Sequence, residues 1–135
     1  MLFAPVLLLG VRMKRLILLA HGSRDPLWRQ PFEALSQRIA LSQGASSVAL
    51  AYMEMAEPTL LTVAAEAVAA GATQLLVLPL FMAAGGHLRH DVPLLMDQIR
   101  HNHPAVLVHM LPPIGEHPQV QAAIENIAHA ALESD

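Results

Sequence analysis

Apolar residues fall into short continuous runs separated by longer stretches in which they recur at helical spacing. Arg15 to Ala20, Ser47 to Tyr52, Gln74 to Leu80 and Ala105 to Met110 read as strands, the third with the unbroken apolar character of a strand buried on both faces. Between and after them, helical patterns run from about Pro31 to Ser42, Leu60 to Ala70, Val92 to His101 and Gln119 to Glu133. The first has Phe32, Leu35, Ile39 and Leu41 as its apolar face and Gly44 as its stop, and the second has Pro58 in its first turn and Gly71 as its cap. Regular alternation of strand and helix predicts an α/β domain with an open, parallel, four-stranded sheet and helices on both faces. Right-handed crossovers then deliver the loops after all the strands to one edge of the sheet.

A chain of 135 residues suits one domain, and 54% apolar against 14% charged residues excludes stable disorder. So apolar a composition leaves surface for a subunit interface. The formal charge of -3 gives no basic patch for nucleic acid. With no cysteine, disulfides, thiolate metal sites and iron–sulfur ligation are excluded, and any transition metal rests on carboxylates and the eight histidines. Met1 to Val11 is almost wholly apolar and precedes Arg12, Lys14 and Arg15, the reverse of the order in a secretory signal, and it is too short to span a bilayer. Residues 1–12 are therefore expected to be an N-terminal extension, or the product of a start placed upstream of Met13, with residues 13–135 forming the domain. The expected location is the cytoplasm, with no membrane partner.

The candidate chemistry sits where strands end, since ligand sites in open α/β sheets form outside the carboxyl ends of the strands. His21 closes the first strand and opens the turn His21-Gly22-Ser23-Arg24-Asp25-Pro26. His87 follows the third strand after a spacer ending in Gly85-Gly86, with Arg89, His90 and Asp91 behind it. Glu54 lies just beyond the second strand, on the same expected edge. Two imidazoles and one carboxylate form a set suited to a divalent metal. Each residue also has a plainer role: His21 as a turn cap, Asp91 as the N-cap of a helix from Val92, Glu57 as a charge complementing a helix dipole, and His90 as a loop group that orients others. His101 and His103 flank a helix end, His109 lies in or after the fourth strand, and His117 and His129 read as surface residues.

Three segments in order resemble the class II chelatases of tetrapyrrole biosynthesis, in particular the short CbiX-type sirohydrochlorin cobaltochelatases. They are Leu18-Leu19-Ala20-His21-Gly22-Ser23-Arg24-Asp25-Pro26, Met53-Glu54-Met55-Ala56-Glu57-Pro58-Thr59, and Leu78-Pro79-Leu80-Phe81 with Gly85-Gly86-His87-Leu88-Arg89-His90-Asp91-Val92-Pro93. The resemblance implies a chelatase-like, flavodoxin-like fold and insertion of a divalent metal, Co2+ preferred and Fe2+ or Ni2+ possible, into sirohydrochlorin on the route to cobalamin. The metal is the substrate, and no further cofactor is implied. On this resemblance His21 and His87 hold the incoming metal or accept pyrrole protons, with Glu54 assisting. Imidazole suits both tasks, because it binds these ions without a thiolate's grip and takes up protons near neutrality. Ser23, Arg24, Arg29 and Arg89 would meet the carboxylate fringe of the macrocycle, while Gly85 and Gly86 leave room for it. Arg29 reads equally as a solvated residue at a helix start, and Phe81-Met82-Ala83-Ala84 as a macrocycle contact, core or dimer contact. Since the family also has members built from two such domains, a single copy implies a homodimer.

Two other enzyme classes fail on specific residues. A histidine phosphatase needs arginine where Ala20 stands, and an α/β-hydrolase needs a Gly-x-Ser-x-Gly elbow that the chain lacks. A ferrochelatase serving sirohaem, a nickelochelatase, and a metal or tetrapyrrole carrier remain as alternatives.

Overall fold

The protein was analysed as a computed structural model, which describes residues 12–83 and 85–135, with His87 described by its backbone alone. The expected N-terminal extension falls, but for Arg12, outside the described residues, as does Ala84 of the apolar loop. In chain order the elements are β1 (Lys14–Ala20), α1 (Pro26–Gln43), β2 (Val48–Tyr52), α2 (Leu60–Ala69), β3 (Gln74–Pro79), α3 (Gly86–Asn102), β4 (Leu107–Met110), a 3-10 turn (Ile114–Glu116) and α4 (Pro118–Glu133). The strands form one four-stranded sheet in the order β2-β1-β3-β4, and every pairing is parallel. The alternation of elements thus produces the expected open α/β sheet.

Two helices begin earlier than their hydrophobic pattern indicates, and each carries inside it a proline that the pattern places near its start. α1 starts at Pro26, whose missing N–H costs nothing in a first turn, and the Asp25 carboxylate accepts from the Leu27 N–H at 2.9 Å to cap it. Pro31 then lies inside the helix rather than at its start. α3 likewise runs from Gly86 and carries Pro93 internally. Asp91 is therefore a helical residue and not the N-cap expected of it; Gly85 occupies the cap position and supplies no side-chain hydrogen bond. At α2 the cap is Thr59, whose hydroxyl accepts from the Thr62 N–H, so Pro58 precedes the helix instead of opening its first turn, and Glu57 stands a further residue away.

One face of the sheet carries the main core. Ile17 and Leu19 of β1, Ala51 of β2, and Leu75 and Val77 of β3 pack with Leu60, Val63 and Ala67 of α2 and with Val92, Met96 and Ile99 of α3. Removing such side chains from water contributes about 1.5–3 kcal/mol each for the larger ones. On the opposite face α1 packs against β2, where Leu18 and Tyr52 are buried. The β3–β4 half of that face is more open: Leu76 and Leu78 are half-buried, and Leu107 and His109 are exposed. Among the described residues, no helix is long and apolar enough to cross a membrane.

At the carboxyl edge, backbone pairing continues past the strands. Met53 N–H donates to Ala20 O at 2.9 Å, Glu54 N–H to His21 O at 3.0 Å, and Leu80 N–H to Leu19 O at 2.8 Å. Three strand-end loops are thereby fixed against one another.

Candidate active site at the carboxyl edge of the sheet

His21 leaves β1 with its side chain exposed, and its ring rests on Phe81 with centroids 4.2 Å apart and planes inclined by 41°. Phe81 is buried, so the imidazole is backed by a fixed aromatic wall. Gly22 follows at φ 108°, a backbone conformation open to glycine at little cost. A Cβ there would stand 1.7 Å from the Glu54 carbonyl oxygen. Only a residue without a side chain lets the His21 turn close onto the Glu54 loop. The neighbour that approaches Gly22 so closely is the Glu54 backbone.

His21, Met53 and Glu54 form one wall of a cleft of about 440 Å³, and Ala83, Gly85, Gly86, Leu88 and Asp91 form the other. The cleft therefore spans the ends of β1 and β2 and the start of α3. Gly85 and Gly86 contribute open backbone, with nothing within 4 Å of where a Cβ would lie. The start of α3 at this wall, whose cap position Gly85 gives no side-chain hydrogen bond, brings the positive end of the helix dipole there, which favours an anionic substituent. Among the described residues no three histidine, aspartate or glutamate side chains converge on a preformed metal site. His21 and Glu54 line a shared space without closing a cage.

A second hollow of about 410 Å³ adjoins the first through Ala83 and Leu88. Its floor is apolar, with Phe81, Val92 and Met110, and Arg89 and Glu116 supply one charge of each sign. The turn that carries Glu116 is held there by Gly115, whose N–H donates to Phe81 O at 3.1 Å and whose Cβ, if present, would lie 1.9 Å from Met82 O. Gly115 was not singled out by the sequence pattern, because nothing local marks a contact between loops so distant in the chain.

The remaining candidates are spread more widely. Ser23 is half-buried and its hydroxyl accepts from the Asp25 N–H at 3.1 Å, shaping the turn. Arg24 is exposed beside it, and neither lines the two hollows. Arg29 lies in α1, with Nε 4.0 Å from a Glu33 carboxylate oxygen. Those two charges act on Tyr52, whose phenol is pushed above its usual value mainly by burial, further by the Glu33 carboxylate, and is drawn partly back by Arg29. His87 and His90 belong to the first turns of α3, and His90 is exposed. His117, expected on the surface, is half-buried with Nε2 2.9 Å from Pro112 O, whereas His129 is exposed as expected.

Comparison with known proteins gives a consistent picture. A family model described as CbiX matches residues 15–131. The sirohydrochlorin cobaltochelatase of Methanocaldococcus jannaschii is 33% identical over 91 residues, which cover 67% of this chain and 64% of that protein. The sirohydrochlorin ferrochelatase of Bacillus subtilis is 29% identical over 113 residues, 83% of this chain but 43% of its own length. Among solved structures, a putative cobalamin biosynthesis CbiX protein from Marinobacter aquaeolei VT8 superimposes with a TM-score of 0.79 at 40% identity, covering 90% of this chain and 98% of that one. The matched region spans about three fifths of the curated cobaltochelatases.

Proposed function

The chain belongs to the CbiX family, and from that membership we propose that it is a sirohydrochlorin cobaltochelatase, an enzyme that inserts Co2+ into sirohydrochlorin. The observation that carries this reading is the cleft in which His21 and Glu54 stand side by side opposite the glycine-lined start of α3. A chelatase must bind an ion long enough to position it, receive two pyrrole protons as the metal enters, and let the ion go. An open imidazole–carboxylate pair suits this better than a closed cage, whose affinity would oppose transfer.

In the reaction one Co2+ replaces two N–H protons of the macrocycle, and the protons leave through the protein or solvent. His21, held against Phe81, takes the first contact with the metal or with a pyrrole proton; Glu54 supplies compensating negative charge, and His87, from the first turn of α3, shares the work of His21. The macrocycle lies across the two joined hollows, its apolar face on Phe81 and Leu88. Arg89 meets a peripheral carboxylate, and Ser23, Arg24 and Arg29 approach the rim from the first turn and α1. Gly85 and Gly86 leave the space it needs.

Cobalt is favoured because the archaeal relatives are named as cobaltochelatases. A ferrochelatase is the nearest alternative, supported by the Bacillus relative, and nickel suits the same ligands. The working unit is a homodimer. Its support is that this chain matches 43% of the Bacillus protein, a share that leaves room for a second domain of equal size.

The test follows the absorbance of sirohydrochlorin with Co2+, Fe2+ or Ni2+, with and without the protein. The expected result is insertion at least about tenfold faster with protein, a modest demand on proton-transfer catalysis alone, and fastest with Co2+. Tight binding with no acceleration would make the protein a carrier instead.

A further inference from the structure

Among the described residues, Met55 is the one residue other than glycine with a positive φ, 60°. In that region Cβ crowds the backbone, so glycine or asparagine is the usual occupant and a methionine there holds strain. The surrounding fold imposes the turn. Met53 N–H donates to Ala20 O at 2.9 Å, Glu54 N–H to His21 O at 3.0 Å, and Tyr52 N–H to Pro58 O at 3.0 Å, so the loop from Met53 to Pro58 is tied at its base and along its first two residues. Gly22 closes against the Glu54 carbonyl as well. Met55 is the first residue beyond these ties.

The fold gains little from its side chain. Met53 packs against the main core, whereas Met55 is 58% exposed. Backbone strain persists where the surroundings over-determine it, and it gathers at ligand sites. Met55 stands one residue past Glu54 of the cleft wall. That cleft is poor in apolar surface: Met53, Ala83 and Leu88 line it beside two carboxylates, an imidazole and two glycines. Ligand pockets are normally lined mainly by large apolar side chains. On the other wall Met82 repeats the arrangement, being 60% exposed, next to Ala83 of the lining, and held at its carbonyl by the close approach of Gly115. Each wall thus adjoins an exposed thioether on a loop whose backbone is fixed.

We propose that Met55 is a substrate-contact residue, its side chain packing on the tetrapyrrole where the ring extends past the Glu54 wall. The proposal rests on the chelatase reading above and adds to it a residue that holds the macrocycle. The side chain suits the part. A thioether is polarizable and unbranched, so it follows the surface of a conjugated ring and gains from contact with it. Because the loop is already tied, presenting Met55 demands no ordering of the backbone on binding.

Binding is read apart from turnover, by titrating sirohydrochlorin with metal-free protein and following its absorbance, alongside the denaturant midpoint of each variant. Met55→Gly, which suits the backbone, should weaken binding about tenfold, the loss of one apolar side chain buried on binding, with a midpoint no lower than that of wild type. Met55→Gln keeps the length of the side chain but ends it in an amide, and it should weaken binding to a similar extent without loosening the loop. Met55→Leu should bind within about twofold of wild type, as a volume-conserving apolar exchange. Wild-type affinity in the glycine and glutamine variants would overturn the proposal, and the chelatase reading would still stand on the insertion rate of the wild type. A lowered midpoint in Met55→Gly, with Met55→Leu binding as weakly as the other two, would make the side chain a support of the loop and overturn the proposal in the same way. A wild type that binds no sirohydrochlorin would overturn both.

Discussion

What makes His21 usable is the set of contacts that hold it. Its carbonyl receives the Glu54 N–H, its ring lies on buried Phe81, and the next residue is a glycine pressed against Glu54. This part of the site was legible in the sequence, because a histidine–glycine pair at the end of an apolar run implies both a strand end and an unusual turn. Tyr52 was read only as the end of a strand, and its placement under α1 depends on a packing that no local pattern encodes. Burial raises its pKa, so as the pH climbs past about 10 the unfolded chain loses a proton that the native protein keeps. That contribution to stability is whole below the ordinary tyrosine value and declines as the pH rises through the raised one. Melting temperatures of wild type and Tyr52→Phe, measured from about pH 8 to about pH 11, should diverge, the wild type losing more at the alkaline end. Parallel curves would mean that the phenol titrates as it does in the unfolded chain. As Tyr52 is the only tyrosine, its phenolate absorbance gives an independent reading.

At the scale of elements, strand existence and order of appearance were clear from the apolar runs, and helix starts were not. Pro31 and Pro93 look like first-turn prolines, yet α1 begins at Pro26 behind the Asp25 cap and α3 begins at Gly86, so that both prolines lie inside their helices. A pattern of apolar residues registers only the part of a helix that faces the core, and the first turns of α1 and α3 are largely exposed or face the cleft. The shift matters chemically: Gly86 to Asp91 become a helix N-terminus set against the cleft rather than a loose loop. The α1 start rests on one side chain, so Asp25→Ala should lower stability by about 1 kcal/mol, read as a shift in the denaturant midpoint with an unchanged slope. A change below a few tenths of a kcal/mol would show that Pro26 and the turn hold the helix start without the cap.

Across the whole molecule, the sheet edge explains how residues far apart in sequence come together. The parallel order β2-β1-β3-β4 places the ends of β1 and β3 next to each other, with β2 alongside, so His21, Glu54 and the start of α3 meet at one cleft. The sequence motifs foretold that meeting because crossover handedness leaves little freedom. The second hollow, bounded by Gly115 and the 3-10 turn, and the exposure of α4 from Gln121 onward were beyond its reach, since both depend on where the chain goes after its last strand. The central claim is that the His21 cleft inserts a metal into a tetrapyrrole. Its most direct test is the initial rate of Co2+ insertion into sirohydrochlorin by wild type, His21→Ala and His87→Ala, with His129→Ala as a distant control and circular dichroism to verify folding. Losses of about 100-fold, the scale of a missing proton-transfer group, are expected for the first two variants and none for the control. A His21→Ala protein that is folded and inserts cobalt at the wild-type rate would contradict it.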